Sequence, residues 1–324
     1  MIITPKELQN WIDNDLSFTA VDIREDAQIK DCPILGVDHV VAKVKSIPET
    51  NNKLVLMCQF GIVTEGIIIE NRLLDTFSLL GGIEAWNAFY SDKRDMSRWS
   101  RQTILQEVGL EGQKKLMDSN VIIVGMGGLG CPVAQSLIAC GIRKLRIIDG
   151  DAVELSNLHR QPLYGIEDIG KMKVHTAKER LQNLSKKALI EPVHSYLDEK
   201  NGSDLIKGAT VVIDATDNIS TRKLIDKLCK RSNTPMIYGA LYRYEGQVAI
   251  LNVNGSVGYS ELFPVDSSVA DNCSEAGILG MLPGIIGNIQ ALETVKLILD
   301  IKPNLVGKLL LYDGMNHTTQ TIKL

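Results

Sequence analysis

A glycine motif in the middle of the chain is the first feature with chemical potential. It has the pattern G-x-G-x-x-G and consists of Gly125, Gly127, Gly128 and Gly130. An apolar run typical of a strand precedes it, and a stretch with helical spacing follows at 129–141. Glycines in this context let the backbone approach phosphates at a helix N-terminus. We therefore expect a bound nucleotide, either a dinucleotide for hydride transfer or ATP for phosphate chemistry.

Polar residues after the next strand candidate bear on this choice. Asp149 and Asp151 end that strand, and the side chains that follow are Asn157, Arg160, Gln161 and Lys173. A dehydrogenase needs one acid for the ribose but has no evident need for cations on the phosphate side. Several cations suit a polyphosphate whose charge changes during the reaction.

A further strand candidate ends in the sequence DATDN, which includes Asp217 and Asn218. An acid at the carboxyl edge of such a sheet can hold Mg²⁺ or a hydroxyl beside the phosphates. Taken singly, Asp149 also fits a strand cap, Asn157 a turn, and Arg160 or Lys173 a solvated charge. The ordered combination favours a binding site.

Five motifs in this order resemble those of the MoeB/ThiF/HesA adenylyltransferases, relatives of the ubiquitin-activating enzymes. They are SRQTILQEVG (100–109), GMGGLG, DGDAVELSNLHRQ (149–161), DATDN and NCSEAGILG (272–280). The resemblance extends from about Ser97 to Leu324. It implies ATP- and Mg²⁺-dependent adenylation of the C-terminal glycine of a ubiquitin-fold sulfur carrier that ends in Gly-Gly. It also implies a sulfur donor such as a cysteine desulfurase.

The resemblance assigns roles to matching positions of this sequence. Gly127 and its neighbours approach the phosphates, and Asp151 lies near the ribose. The polyphosphate is bound or oriented by Asn157, Arg160, Gln161 and Lys173. Asp217 serves the Mg²⁺-bound α-phosphate, with Asn218 beside it. Arg101 reaches into the site of a second subunit, which implies a homodimer, and Cys273 is a candidate for taking the acyl group or packing a loop.

The first 92 residues have a separate character. Strand candidates at 18–25 and 53–60 alternate with helical runs, which predicts a small parallel α/β domain. The loop CQFGIVT, which begins at Cys58, together with VDIRE and LLGGIEAW, resembles a rhodanese domain. The resemblance implies a persulfide on Cys58, although rhodanese loops usually carry an arginine and this one has no cation. A catalytic and a purely structural domain are both compatible with it.

The fold prediction for the whole chain is α/β. A charged stretch at 91–102 suits a linker, so we predict a rhodanese-like domain at 1–92 and an ATP-binding domain at 93–324. Five strand candidates of the second domain alternate with helices in the manner of a doubly wound, mostly parallel, Rossmann-like sheet. The segments 245–253 and 308–315 indicate an antiparallel extension. The apolar run 279–300 contains polar interruptions and predicts a buried core helix rather than a membrane span.

The amino-acid composition of the chain excludes some classes of binding partner. With 35 basic and 39 acidic residues, the 324-residue chain carries a formal charge of −4, which gives no electrostatic footprint for nucleic acid or lipid. The N-terminal residues lack the pattern of a secretory signal, so we expect a cytoplasmic protein. No two of the six cysteines form a C-x-x-C pair, and residues 258–261 stand where relatives carry one. We therefore expect no zinc site.

The sequence thus predicts a homodimeric adenylyltransferase for a sulfur carrier, of the molybdopterin, thiamine or another sulfur pathway. Two alternatives stay open at this point. An NAD-dependent oxidoreductase would use the glycine loop but leave Arg160, Lys173 and DATDN unexplained. A scaffold for sulfur transfer would bind the carrier without catalysis.

Overall fold

The computed structural model describes residues 1–264 and 277–324, and side chains for all of these except residues 92–95. The chain divides into two compact units, Met1–Ser100 and Arg101–Leu324. The predicted boundary between residues 92 and 93 falls inside a helix, Gly82–Asp95. The boundary between the two units lies within the predicted linker at 91–102, and helix Gly82–Asp95 extends into this stretch.

The first unit is a parallel five-stranded sheet with helices. Its strands are β1 (Ile2–Ile3), β2 (Phe18–Asp22), β3 (His39–Val41), β4 (Lys53–Met57) and β5 (Thr76–Leu79), in the order β1-β5-β4-β2-β3. Its helices are α1 (Pro5–Asp13), α2 (Asp26–Asp31), α3 (Ile62–Glu70) and α4 (Gly82–Asp95). Helix α1 begins with a capping box between Thr4 and Glu7, a start signal that is legible in the sequence.

The second unit is built on an eight-stranded mixed sheet. Its strands are β6 (Asn120–Val124), β7 (Lys144–Ile148), β8 (Leu189–Val193), β9 (Val211–Asp214), β10 (Met236–Tyr242), β11 (Glu245–Leu251), β12 (Lys308–Asp313) and β13 (Thr318–Lys323). The order is β13-β12-β11-β10-β9-β6-β7-β8. Strands β6 to β10 are parallel to their neighbours, whereas β10 to β13 pair antiparallel. The predicted doubly wound sheet with an antiparallel extension is confirmed.

Helices cover this sheet. They are α6 (Gly109–Asp118), α7 (Gly130–Cys140), α8 (Lys173–Leu184), α9 (Gly202–Leu205), α10 (Ile219–Ser232), α11 (Tyr259–Leu262) and α12 (Leu282–Leu299), and α5 (Ser100–Thr103) lies at the boundary between the units. Strand β6 lies between β7 and β9, which are its parallel neighbours. The loops after these three strands therefore meet at one edge of the sheet, which is the usual ligand site of such folds.

Helix α12 is the element that raised the membrane question. It is long and apolar enough to cross a bilayer by length and composition, and half of its residues are buried inside the protein. Its buried positions include Ile286 and Ala291 of the main hydrophobic core. The side chain of Gln290, on the same helix, donates hydrogen bonds to the carbonyl of Asp214 at 2.8 Å and of Ile237 at 3.3 Å. The helix is thus joined to the sheet by both apolar and polar contacts, in keeping with a core helix.

A buried carboxylate fixes the segment after β11. Asp226, on α10, accepts hydrogen bonds from the amides of Tyr259 and Ser260 at 2.8 and 3.0 Å and from the side chain of Asn252 at 2.9 Å. A carboxylate that satisfies backbone donors in this way stabilises a helix N-terminus as a cap does.

We expect Asp226→Ala to lower the free energy of unfolding by about 2–4 kcal/mol, because three buried donors lose their acceptor. Chemical denaturation followed by circular dichroism would measure this loss. Glu199→Ala is the control, because it removes an exposed ion pair to Lys227 on the same helix and should have no measurable effect. Equal stability of the two variants would contradict the assignment.

Candidate functional site

The glycine loop between β6 and α7 is held close to the ends of two neighbouring strands. Gly125 has φ of +96°, and its amide donates to the carbonyl of Ile148 at 2.8 Å. A Cβ atom on Gly125 would lie 2.5 Å from the carbonyl oxygen of Ala215, and one on Gly130 would lie 2.0 Å from that of Gly125. Both positions therefore require glycine for packing.

Gly127 and Gly128 have a different role in the loop. A Cβ on Gly127 would meet its nearest neighbour, the side-chain nitrogen of Gln161, at an ordinary 3.5 Å, and both glycines are partly exposed. Within the described residues, the amides of Gly127, Gly128 and Leu129 donate to no acceptor. Free amides at the start of an eleven-residue helix form a site for an anion such as phosphate.

Asp149 ties the glycine loop to the loop after β7. Its carboxylate accepts hydrogen bonds from the amide of Met126 at 2.7 Å and from the amide of Asp151 at 2.7 Å. Burial raises the pKa of Asp149, and the nearby Lys173 and the two amides only partly offset this. The carbonyl of Met126 accepts from the hydroxyl of Tyr164 at 2.9 Å, so the loop is held from both sides.

Asp151 forms an ion pair with Lys173, a contact that the sequence analysis did not predict. Lys173 is the first residue of α8, and its side chain is only 7% exposed. Its ammonium lies 2.8 Å from one oxygen of Asp151, and the other oxygen accepts from the hydroxyl of Tyr196 at 2.6 Å. Burial raises the pKa of Asp151, but the hydrogen bonds from Lys173 and Tyr196 outweigh it and lower the pKa overall.

The segment after Asp151 brings three predicted side chains to the same edge. Asn157 is buried and accepts from the amide of Glu154 at 3.3 Å, which shapes the turn. The guanidinium of Arg160 donates to the carbonyl of Ser156 at 2.9 Å and is partly exposed. Gln161 is 2% exposed, and its carbonyl oxygen has no hydrogen-bond partner in the described part of the chain. An orphaned acceptor beside the glycine loop fits a polar ligand.

At the end of the third strand, β9, one aspartate is buried and has a structural role, and a second is exposed. Asp214 is fully buried, lies 3.4 Å from the guanidinium of Arg222, and accepts from the amide and hydroxyl of Thr216. Burial raises the pKa of Asp214, against the effect of Arg222 and Thr216. Asp217 is exposed, and its carboxylate has no partner among residues 1–264 and 277–324. Asn218 accepts from the amide of Thr221 at 2.9 Å and caps α10.

The acidic side chains at this edge suit Mg²⁺ only in part. In the part of the chain that the structure describes, no group of three His, Cys, Asp or Glu side chains could hold a metal. A magnesium ion that arrives with a nucleotide needs only one or two carboxylates, because phosphates and water complete its shell. The free carboxylate of Asp217 fits this requirement.

The remaining predicted residues of the second unit are Cys273 and Arg101. Cys273 lies outside the described residues. Arg101 is on α5, with its side chain exposed. The structure adds Tyr196, Arg222 and Gln290 to the surroundings of the site, and none of them belongs to a sequence motif.

Cys58 begins a second candidate site in the first unit, at the carboxyl end of β4. The thiol is 5% exposed, and its sulfur lies 3.6 Å from the hydroxyl of Thr64. The hydroxyls of Thr64 and Ser78 lie 2.6 Å apart, and both are within hydrogen-bond distance of the carbonyl of Gly61, which has φ of +83°. Across the described residues, the amides of 59–64 donate to no acceptor, so the loop can hold an anion beside the sulfur.

A buried ion pair supports this loop. Arg24 and Asp22 are joined by hydrogen bonds of 2.9–3.0 Å, with the side chains almost fully buried. The same guanidinium donates to the side chain of Gln59 at 2.9 Å, and Gln59 donates to Glu84 at 2.8 Å. Gln59, which follows Cys58 in the loop, is therefore tied to Arg24.

Comparisons with known proteins agree with the fold and the motifs. The SAMP-activating enzyme E1 of Haloferax volcanii is 40% identical over 233 residues, which cover 71% of this chain and 86% of that protein. The sulfur carrier protein adenylyltransferase of Thermus thermophilus is 39% identical over 230 residues, with coverage of 69% and 85%. The adenylyltransferase and sulfurtransferase MOCS3 of Anopheles gambiae is 40% identical over 232 residues, and the match spans about half of that protein, 53%.

Solved structures show the same architecture. PaaA has a TM-score of 0.60 and 29% identity, with 71% of this chain and 73% of that chain covered. Escherichia coli MccB, solved with ATP, has a TM-score of 0.62 and 20% identity, with coverage of 73% and 77%. The model of the ThiF family matches residues 99–324, well over half of the sequence. The chain belongs to the ThiF family.

Proposed function

We propose that this protein is an ATP-dependent adenylyltransferase that activates the C-terminal glycine of a ubiquitin-fold sulfur carrier ending in Gly-Gly. The observation that carries the proposal is the convergence of three features at one sheet edge. Free amides of the glycine loop, the cations Lys173 and Arg160, and the carboxylate of Asp217, which is unpaired among the described residues, lie in the segments that follow β6, β7 and β9. The relatives named as adenylyltransferases and as a SAMP-activating enzyme support it.

The chemistry requires positioning and charge stabilisation rather than covalent catalysis. A carboxylate oxygen of the carrier attacks the α-phosphorus of ATP, the bond from that phosphorus to the bridging oxygen breaks, and pyrophosphate leaves. The glycine-loop amides bind phosphate oxygens, and Lys173 and Arg160 offset the charge that develops on them. A magnesium ion held with the nucleotide by Asp217 would neutralise further phosphate charge.

The burial of Lys173 supports this assignment over hydride transfer to NAD. A nearly buried ammonium such as that of Lys173 is costly unless it has anionic partners. Asp151 supplies one in the free protein, and a polyphosphate supplies another. Binding of a nicotinamide cofactor would leave the exposed carboxylate of Asp217 without a function.

We also propose a homodimer in which Arg101 completes the site of the partner subunit. Arg101 is exposed and is followed by the exposed apolar residues Ile104 and Leu105. Exposed apolar side chains of this kind are suited to burial between subunits. The five cysteines in the described ranges are all unpaired, which suits a reducing compartment, and we propose a cytoplasmic location.

For the first unit, we propose sulfur transfer through Cys58. A persulfide donor, such as a cysteine desulfurase, would give its outer sulfur to the Cys58 thiolate. A new S–S bond forms on Cys58, the S–S bond of the donor breaks, and the donor leaves as a thiolate. The free amides of the loop would stabilise the resulting anion. Whether Cys273 takes part stays a hypothesis from the sequence.

The glycine loop gives a first prediction. Gly127→Ala should fold normally, because its Cβ has space, but should weaken ATP–Mg²⁺ binding at least about tenfold by keeping phosphate from the backbone. Calorimetry would measure the affinity, and a parallel titration with NAD tests the alternative cofactor. Gly66→Ala, where a Cβ meets nothing, is the control. Unchanged ATP affinity, or tighter NAD binding by the wild type, would refute the assignment.

A second prediction concerns catalysis. Asp217→Ala should abolish carrier-dependent ATP–pyrophosphate exchange, and Arg160→Ala should lower its kcat by on the order of 10²–10³, because each removes charge compensation at the phosphates. Carrier binding without exchange by the wild type would instead indicate a scaffold.

The same assay tests the dimer. When Arg101→Ala and Asp217→Ala proteins are mixed and allowed to exchange subunits, about one quarter of the sites should regain both residues. No recovery of activity after proven subunit exchange would exclude a role for Arg101 in the partner's site.

A third prediction concerns sulfur. Incubation with a persulfide donor should add one sulfur to the wild type, detectable by mass spectrometry, and none to this position in Cys58→Ala. Cys32→Ala removes a partly exposed cysteine of the same unit and should leave the label intact. Labelling of the Cys58→Ala protein at wild-type level would argue for a structural first unit.

A further inference from the structure

Tyr196 belongs to no recognised motif, yet it is fixed against the candidate site. It follows β8, and its side chain is largely exposed, at 69%. Its hydroxyl donates to Asp151 at 2.6 Å. Its ring lies so close to Gly150 that a Cβ there would be 2.7 Å from ring carbons. Contacts of both the ring and the hydroxyl therefore restrain this side chain, although it is exposed.

Asp151 connects Tyr196 to the phosphate edge. One of its carboxylate oxygens bonds Tyr196 and the other bonds the ammonium of Lys173, while its carbonyl accepts from the amide of Lys173 at 3.0 Å. The Asp151 side chain is half exposed, so without a second contact its carboxylate would be free to rotate. A charge-assisted hydrogen bond to each oxygen fixes its plane.

The orientation of Asp151 in turn decides where the Lys173 ammonium lies. A lysine side chain has four rotatable bonds, and its position depends on what the ammonium contacts. Here its contact among the described residues is Asp151. Electrostatic stabilisation of a transition state depends on charges that are already in place before the reaction.

We propose that Tyr196 is a positioning residue for adenylation, which acts through Asp151 to hold the Lys173 ammonium at the phosphates. The inference rests on the proposed function of the site. It gives the loop after β8 a part in the reaction, in addition to the loops after β6, β7 and β9.

ATP–pyrophosphate exchange with the carrier tests this chain of contacts. Tyr196→Phe keeps the ring on Gly150 and should lower kcat roughly fivefold to tenfold, with a smaller change in KM for ATP. Asp151→Asn should cost more, and the double variant should be no slower than Asp151→Asn alone, because both changes break one path. Tyr312→Phe, which removes a hydroxyl 3.4 Å from His317, is the control and should match the wild type.

The pH dependence of kcat gives a readout that a merely structural tyrosine would not move. Asp151 faces Lys173 from α8, Tyr196 from the loop after β8 and Asp149 from the end of β7. Loss of the tyrosine hydroxyl removes one of the donors that lower the pKa of Asp151. The pKa then rises, so Tyr196→Phe should lose activity at a higher pH than the wild type as the solution is acidified.

The outcomes separate the two proposals. A wild type that shows no exchange with any carrier overturns the proposed function together with this inference. An active wild type with an unchanged Tyr196→Phe variant overturns the inference alone. Independent, multiplicative effects of Tyr196→Phe and Asp151→Asn would likewise show that Tyr196 does not act through Asp151.

Discussion

The carboxylate of Asp149 makes the contact on which the arrangement of the site depends. It joins the amide of Met126 in the glycine loop to the amide of Asp151 in the next loop. Burial raises its pKa, so its ionised form costs stability once the pH exceeds the ordinary pKa of an aspartate. In return, the ionised carboxylate accepts from amides of both loops and holds the glycine loop next to the segment that carries Asp151.

The other side of the site is fixed in a similar manner. Asp214 and Arg222 form a buried pair that holds the turn after β9, and Gln290 from α12 donates to the carbonyl of Asp214. A core helix, a strand end and a helix N-terminus are therefore linked by polar contacts with little freedom. The side chains that face the opening are therefore attached to rigid backbone, which reduces reorganisation during the reaction.

Local patterns account for what could be predicted from the sequence. The glycine loop and the buried strands β6, β7 and β9 are short-range signals of composition and spacing, and the structure has each of these strands directly before the motif that follows it in the sequence. Strand β13 was missed because TTQTIK is polar and fully exposed at a sheet edge. Tyr196 and Asp151 are 45 residues apart, and only the order of strands β6, β7 and β8 brings them together. Contacts of that kind have no local signature.

The motif DATDN contains two aspartates three residues apart whose surroundings give them opposite roles. Asp214 is the last residue of a central strand, is fully buried and is neutralised by Arg222. Asp217 lies just beyond, where the chain has left the sheet and the side chain is exposed. The role that we propose for Asp217 requires its oxygens to stay free of the protein's own donors. The two acids differ because the strand ends between them, since the residue type is the same at both positions.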